Sequence, residues 1–283
     1  MEAQRPLGYL LITPLGLVLL GVFVAPILLM GPTSLRHYDP GSGLASGWTL
    51  ENYAQIVADP FFRGVLARTF AMGAIVTLIC LVVGYPLAYV LAYSTGATRS
   101  WMTLLVVFPL LLNLVVRSFG WITLLANHGL VNNALLALHL VATPVKLMFN
   151  LTGLIIGLTH IYLPFMVLVL VAALQALPRD AEAASATLGA GPLKTFFLVT
   201  LPLTAPGMFA GSVLVFVLTI SALITPRLLG GPAYKVMATV IYDEFLSDLD
   251  WPSGAALAFV LTATALLIIA VAGALTRRWT AAR

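Results

Sequence analysis

None of the ten acidic residues of this 283-residue chain falls inside its long apolar runs. Glu2, Asp39, Glu51, Asp59, Asp180, Glu182, Asp243, Glu244, Asp248 and Asp250 all sit in the polar intervals between them. A helix needs about 20 apolar residues to cross a bilayer, and a charged residue at its centre costs roughly 2.5–3.5 kcal/mol on insertion scales. An isolated segment in lipid can satisfy its own backbone only as a helix. The pattern therefore reads as an all-α, polytopic membrane protein. Hydrophobic residues make up 61% of the chain and charged residues 8%, with a mean hydropathy of +1.05, which excludes a soluble domain of this length.

Six runs are long enough to span: Leu7–Met30, Thr69–Ser94, Trp101–Leu125, Leu147–Leu174, Leu203–Pro226 and Ser253–Leu275. The first is longer than the roughly 7–15 residues of a signal-peptide core and reads as an uncleaved span. The whole of 1–283 is taken as one transmembrane domain, with loops at 31–68 and 227–252 on the outer side and a polar segment at 178–202 on the inner side. The first of these loops carries an amphipathic helix near Leu50–Val57. Alternation puts Arg5, Arg99, Arg179, Lys194, Arg277, Arg278 and Arg283 on one side and Arg36, Arg63, Arg68, Lys146, Arg227 and Lys235 on the other. The basic tail that directly follows the last span tips the positive-inside rule toward both termini inside. Cys80, the single cysteine, lies in an apolar run and has no partner for an internal disulfide.

The segment from Leu177 to Gly207 is the polar interruption with the most internal design. Pro178 suits a helix start, and Asp180 and Glu182 place carboxylates in the first turn, where the helix dipole favours them. A helix to about Leu188 follows, built from Ala181, Ala183, Ala184, Ser185 and Ala186, small enough for another protein's surface to approach its backbone. Gly189 and Gly191 allow a sharp turn, and Pro192 opens a second helix carrying Leu193, Phe196 and Phe197 on one face. Pro202 then lets the chain re-enter the apolar phase at a new angle.

Glu182, Ala183, Ala184, Gly189, Val199, Leu201 and Pro202 match in order and spacing the EAA motif of ABC importer permeases, with Val199 where isoleucine is common. The chain thus resembles the permease subunits of binding-protein-dependent ABC importers. The resemblance implies a type I importer permease fold of six transmembrane helices, and makes 178–202 the coupling segment that seats in a groove of a cytoplasmic ATPase. Further stretches, GYPLAYVLA from Gly84, FPLLLNLVVRSFGW from Phe108, IIGLTHIYLPFMVL from Ile155 and DWPSGAA from Asp250, resemble the spermidine/putrescine permease group and its B-type subunit. That resemblance implies two ATPase copies, which bind the ATP and Mg, a second homologous permease, an extracytoplasmic substrate-binding protein and a place in the bacterial inner membrane. Other amines, amino-acid derivatives, metals and anions are alternative substrates within the same importer class.

The absences agree with a subunit driven from outside. Proton-coupled carriers place ionisable groups in the membrane, and here His160 and Arg117 are the exceptions. GAGPLKT from Gly189 has Leu193 where a phosphate loop needs glycine, no Gly-x-Ser-x-Gly elbow occurs, and neither a metal site nor a nucleic-acid partner is expected. The chain itself is therefore read as non-catalytic, with an ion-coupled secondary transporter as the rival reading.

Arg117, with Asn113 and Trp121 four residues to either side, shares a helical face read as structural or gating, with snorkelling to the outer interface as the alternative. His160 reads as a histidine hydrogen-bonded across helices. Tyr85, Tyr162 and Thr219 are candidate pathway residues, or equally interhelical hydrogen bonds. Asp243, Glu244, Asp248 and Asp250 form either a docking surface for the binding protein or a cation-recruiting mouth.

Overall fold

In a computed structural model, residues 13–14, 16–41, 43–232 and 234–281 are described. Glu2, Arg5, Leu7 to Ile12 of the first expected span, and Arg283 of the basic tail lie outside these residues. A helical stretch from Gly16 to Ser34, π-wound at Leu20–Val24, ends in α1 (Ala25–Ser34). It is followed by α2 (Glu51–Ala58), α3 (Pro60–Tyr93), α4 (Gly96–Leu111), α5 (Leu114–Leu125), α6 (Leu130–Ala137) and α7 (Leu151–Gln175). Next come α8 (Arg179–Thr187), α9 (Pro192–Thr195), a π-helical turn at Phe196–Thr200, α10 (Leu201–Leu203) and α11 (Ala205–Ile220). Another π-helical turn at Pro226–Gly230, α12 (Met237–Leu246) and α13 (Trp251–Ala281) complete the order. Among the described residues there is no strand.

Among the described residues, five helical stretches are long and apolar enough to cross a membrane, and the pair Pro192–Leu203 and Ala205–Ile220, bent by 62°, makes a sixth if taken as one span. Their boundaries differ from the hydropathy reading for local reasons. The expected span Trp101–Leu125 is broken: α4 ends after Pro109, Leu112 turns extended, and Asn113 caps a new helix that runs toward Ala137. Residues 60–68, expected in a loop, are the first turns of α3. At 34 residues that helix is about 51 Å long against a bilayer core of about 30 Å. The expected helix near Leu50–Val57 is α2, and the stretch 227–252 holds α12 rather than irregular chain.

The change of direction expected at Pro202 occurs at Thr204. Pro202 continues α10, while Pro206 lacks the N–H for a bond to its carbonyl and crowds it, the usual origin of a sharp helix kink.

The chain forms two compact units, Met1–Arg63 with Val240–Ala263, and Gly64–Thr239 with Thr264–Arg283. In the first, the buried Asn52 amide donates to the carbonyls of Ser34 and Arg36, each at 2.9 Å, and ties α2 to the end of α1. Ser34 meets Tyr53 at 2.8 Å, and Tyr38 donates to the Asp248 carbonyl at 3.1 Å.

The second unit is organised around α7, whose Leu154, Leu158, Met166, Val167 and Leu170 are fully buried. Lipid tails are as apolar as leucine, so helices in a membrane gain by close packing over small residues rather than by burial from water. Gly207 and Gly211, one turn apart on α11, supply that approach. A Cβ on Gly207 would collide with Ala173 Cβ, and one on Gly211 would lie 2.8 Å from Met166 Sδ.

Candidate functional site

The segment between α7 and α11 is a folded unit. Pro178 caps α8 from an extended conformation, one position outside the helix rather than in its first turn. At the other end Gly189 takes φ +83°, and its N–H reaches Ala186 O at 3.0 Å while Ala190 N–H reaches Ser185 O at 3.1 Å. This is a Schellman closure, which requires a left-handed residue where glycine stands. Pro192 opens α9, and Ser185 bonds Thr195 at 2.9 Å, closing the helix–turn–helix on itself.

The side chains of α8 divide by direction. Ala183 and Ala184 are exposed, as is Leu188, which is 88% accessible just beyond the helix. Glu182 turns the other way. Its Oε1 accepts hydrogen bonds from Tyr93 Oη at 2.7 Å and from Thr200 Oγ1 at 2.7 Å. Thr200 and Thr204 are both buried, and Thr204 Oγ1 donates to the Thr200 carbonyl at 3.0 Å. Thr204 Oγ1 also lies 3.1 Å from the Leu201 carbonyl and shares a hydrogen bond with Tyr85 Oη at 2.8 Å, in which either hydroxyl can donate.

Aromatic rings fill the space around these bonds. Phe196 meets Tyr85 and Tyr89 edge-on at 5.6 and 5.7 Å, and Tyr89 lies 4.7 Å from Tyr93. Of the expected apolar stripe on the second helix, Phe196 packs inward, whereas Leu193 and Phe197 remain 76% and 59% exposed. Leu201 and Pro202 are half-buried.

A second cluster joins α5 and α7. Trp121 Nε1 donates to His160 Nδ1 at 3.2 Å, so the histidine is held across helices as its sequence context indicated. Arg117 lies one turn before Trp121 and interacts electrostatically with His160 and Tyr162. Its Nε and Nη1 are buried without a hydrogen-bond partner. Asn113 lies one turn before Arg117, whose N–H reaches the Asn113 carbonyl at 3.1 Å. It stands outside α5 as the N-cap, accepting from Val115 N–H at 2.8 Å, because its carboxamide satisfies one of the open donors of a new helix.

Thr219, another candidate for the pathway, is fully buried and donates to Val215 O at 2.7 Å, while Tyr85 is buried in the bond to Thr204. In the first unit, Asp250 Oδ1 accepts from Ser253 N–H at 3.0 Å at the start of α13. Asp243 and Glu244 lie on α12, half-buried, and Asp248 is exposed in the turn that follows. Among the described residues, no three His, Cys, Asp or Glu side chains are grouped to hold a metal ion.

Residues 84–281 match the family described as the binding-protein-dependent transport system inner membrane component. The chain belongs to that family. Like its relatives it is a multi-pass inner-membrane transport subunit. It is 35% identical over 262 residues to the spermidine/putrescine transport system permease protein PotB of Escherichia coli (strain K12), covering 93% of this chain and 94% of that one. It is also 31% identical over 222 residues to the molybdenum transport system permease protein ModB of Mycobacterium bovis (strain ATCC BAA-935 / AF2122/97), covering 78% and 82%. In fold it is similar to a chain of the bacterial alginate ABC transporter solved with an alginate pentasaccharide-bound periplasmic protein. The TM-score there is 0.80, with 18% identity over 98% of this chain and 96% of that one.

The inner-membrane component contains functional candidates that its sequence motifs did not single out. Tyr93 and Thr200 hold the Glu182 carboxylate, and Thr204 bonds the Thr200 carbonyl and Tyr85. A signal was present: Tyr85, Tyr89 and Tyr93 recur every four residues, so they share one face of α3, a polar-aromatic stripe that meets Thr204, Phe196 and Glu182.

Proposed function

We propose that this chain is one of two homologous permease subunits of an ATP-driven importer for polyamines of the spermidine/putrescine class. The observation that carries the coupling role is the two-sidedness of α8. Its small residues Ala183 and Ala184 face outward while Glu182 and Ser185 anchor it from behind, leaving a rigid, low-relief surface for a partner. The likeness to PotB over 93% of the chain supports the substrate class. On this reading the chain catalyses nothing itself, and ATP with Mg is held by two copies of a cytoplasmic ATPase. Residues Glu182, Ala183, Ala184, Gly189, Leu201 and Pro202 form the docking and coupling element. Both termini are cytoplasmic, and Asp243, Glu244, Asp248 and Asp250 face a substrate-binding protein outside.

ATP binding closes the ATPase pair and shifts α8, the spans open the cavity outward, and hydrolysis restores the inward-facing state. Arg117 and Tyr162 are the proposed gate or pathway residues. An anionic substrate is a second reading, favoured by the two Arg117 nitrogens buried without a hydrogen-bond partner and by the molybdenum permease among the relatives.

The test is purification of the chain with its associated subunits, followed by reconstitution with the binding protein. ATP-dependent uptake of labelled spermidine or putrescine is expected, and uptake of molybdate instead would establish the second reading. Because the single cysteine, Cys80, is buried, Ala184→Cys offers one accessible thiol, expected to cross-link to the ATPase. Uptake by this chain alone under an ion gradient, with no ATPase attached, would overturn the proposal.

A further inference from the structure

We propose that Glu182 acts on the inner side of the coupling helix, as the clasp through which a shift of α8 is delivered to α3. This rests on the reading of α8 as the docking element. Two hydroxyl donors converge on one carboxylate oxygen at 2.7 Å each, the length of charge-assisted O–H···O bonds. Tyr93 is the last residue of α3, and Thr200 closes the π-helical turn. From Thr200 the connection continues through Thr204 to Tyr85, again on α3.

Glu182 is thus joined to α3 at two points, directly at Tyr93 and by relay at Tyr85. The two tyrosines are eight residues apart, about 12 Å at 1.5 Å per residue. A single contact would let α8 pivot. Two contacts along the same helix make α3 follow a tilt of α8.

The rest of the geometry leaves this work to the carboxylate. Among the described residues the other side-chain hydrogen bond from α8 to another element, Ser185 to Thr195, leads only to α9. Ala183 and Ala184, the neighbours that face outward, carry no group able to transmit a pull. The π-helical turn lies beside the clasp, and such turns concentrate at functional positions because their looser winding admits a change of register. Phe196 packs edge-on against Tyr85 and Tyr89 beside the relay.

The experiment uses the complete complex in liposomes and reads ATP hydrolysed per substrate molecule imported. Tyr93→Phe removes one hydroxyl and keeps the ring against Tyr89, and Thr200→Val removes the other at nearly constant volume. Each is expected to raise the ratio about threefold or more, while an Ala184→Cys thiol still cross-links to the ATPase. Glu182→Ala is expected to raise it further, and adding Tyr93→Phe to Glu182→Ala should change nothing more, since the acceptor is already gone.

If Glu182→Ala uncouples transport while Tyr93→Phe and Thr200→Val, singly and together, behave as the parent protein does, the carboxylate works on the ATPase and the clasp is refuted. Effects of Tyr93→Phe and Glu182→Ala that simply add also refute it. A missing cross-link in the parent carrying only Ala184→Cys would instead overturn the docking reading, so the two failures are distinguishable.

Discussion

Gly189→Ala isolates a purely conformational contribution to the turn between α8 and α9. Gly189 sits at φ +83°, and a Cβ built there meets nothing within 4 Å, so alanine introduces no clash. The whole cost is that of holding an L-residue in the left-handed region, roughly 1–2 kcal/mol. That corresponds to about a 5- to 30-fold shift toward the opened turn. Opening breaks the bonds from Gly189 N–H to Ala186 O and from Ala190 N–H to Ser185 O. Amide hydrogen exchange at these two positions in the detergent-solubilised protein should therefore accelerate by that factor in Gly189→Ala. Asparagine tolerates the left-handed region better, so Gly189→Asn should fall between glycine and alanine, and β-branched Gly189→Val should be worst. Substrate imported per ATP should decline in the same order. Unchanged exchange in Gly189→Ala would show that the dihedral angle does not hold this turn. An asparagine variant as fast as the valine variant would show that bulk, not conformation, is the cause.

Three further perturbations follow from the packing and the caps. Gly207→Ala puts a methyl group onto Ala173 Cβ and forces α7 and α11 apart; overpacking of this kind costs about 1–3 kcal/mol, and Ala173→Gly in the same chain should recover most of the lost thermal stability. Asp250→Ala removes the cap on Ser253 N–H, for a loss of about 1 kcal/mol read as faster exchange at the start of α13. Arg117→Leu replaces two buried, unpartnered nitrogens with hydrocarbon, so the isolated chain should melt no lower than the parent while the reconstituted complex loses transport. A large drop in the isolated chain's melting temperature would mean that the guanidinium has a partner within the chain.

Hydropathy and acid placement were enough to read most of the spans, because twenty apolar residues in lipid leave the backbone no choice but helix. The ends of those helices were less legible. The break between α4 and α5 is a capping event at Asn113, whose side chain reads as one polar residue in an apolar run until its bond to Val115 N–H is seen. The kink at Thr204 likewise belongs to Pro206, and two prolines four residues apart give no indication in sequence of which one bends the chain. Asp250 shows the same limit from the opposite side. It reads as one member of an acidic cluster, yet part of its chemistry is satisfied by the helix it caps.

The motif around Glu182 was legible as a helix–turn–helix between two spans, but its sidedness was not, and the reason is helical geometry. Residues 182 and 183 are adjacent in sequence and about 100° apart around the axis, so a contiguous motif distributes itself over different faces of the helix. Glu182 and Ser185, three apart, look toward Thr200 and Thr195, whereas Ala183, Ala184 and Leu188 look away. Under the proposed docking, the acid answers first to the permease's own interior and the alanines to the docking partner. A charge-reversing change at Glu182 and a bulky change at Ala184 should consequently fail differently. Glu182→Lys leaves the outward face in place and severs α8 from α3. Ala184→Trp leaves the clasp whole and keeps the ATPase from seating, so the first should lose coupling with the complex assembled and the second should lose the complex itself.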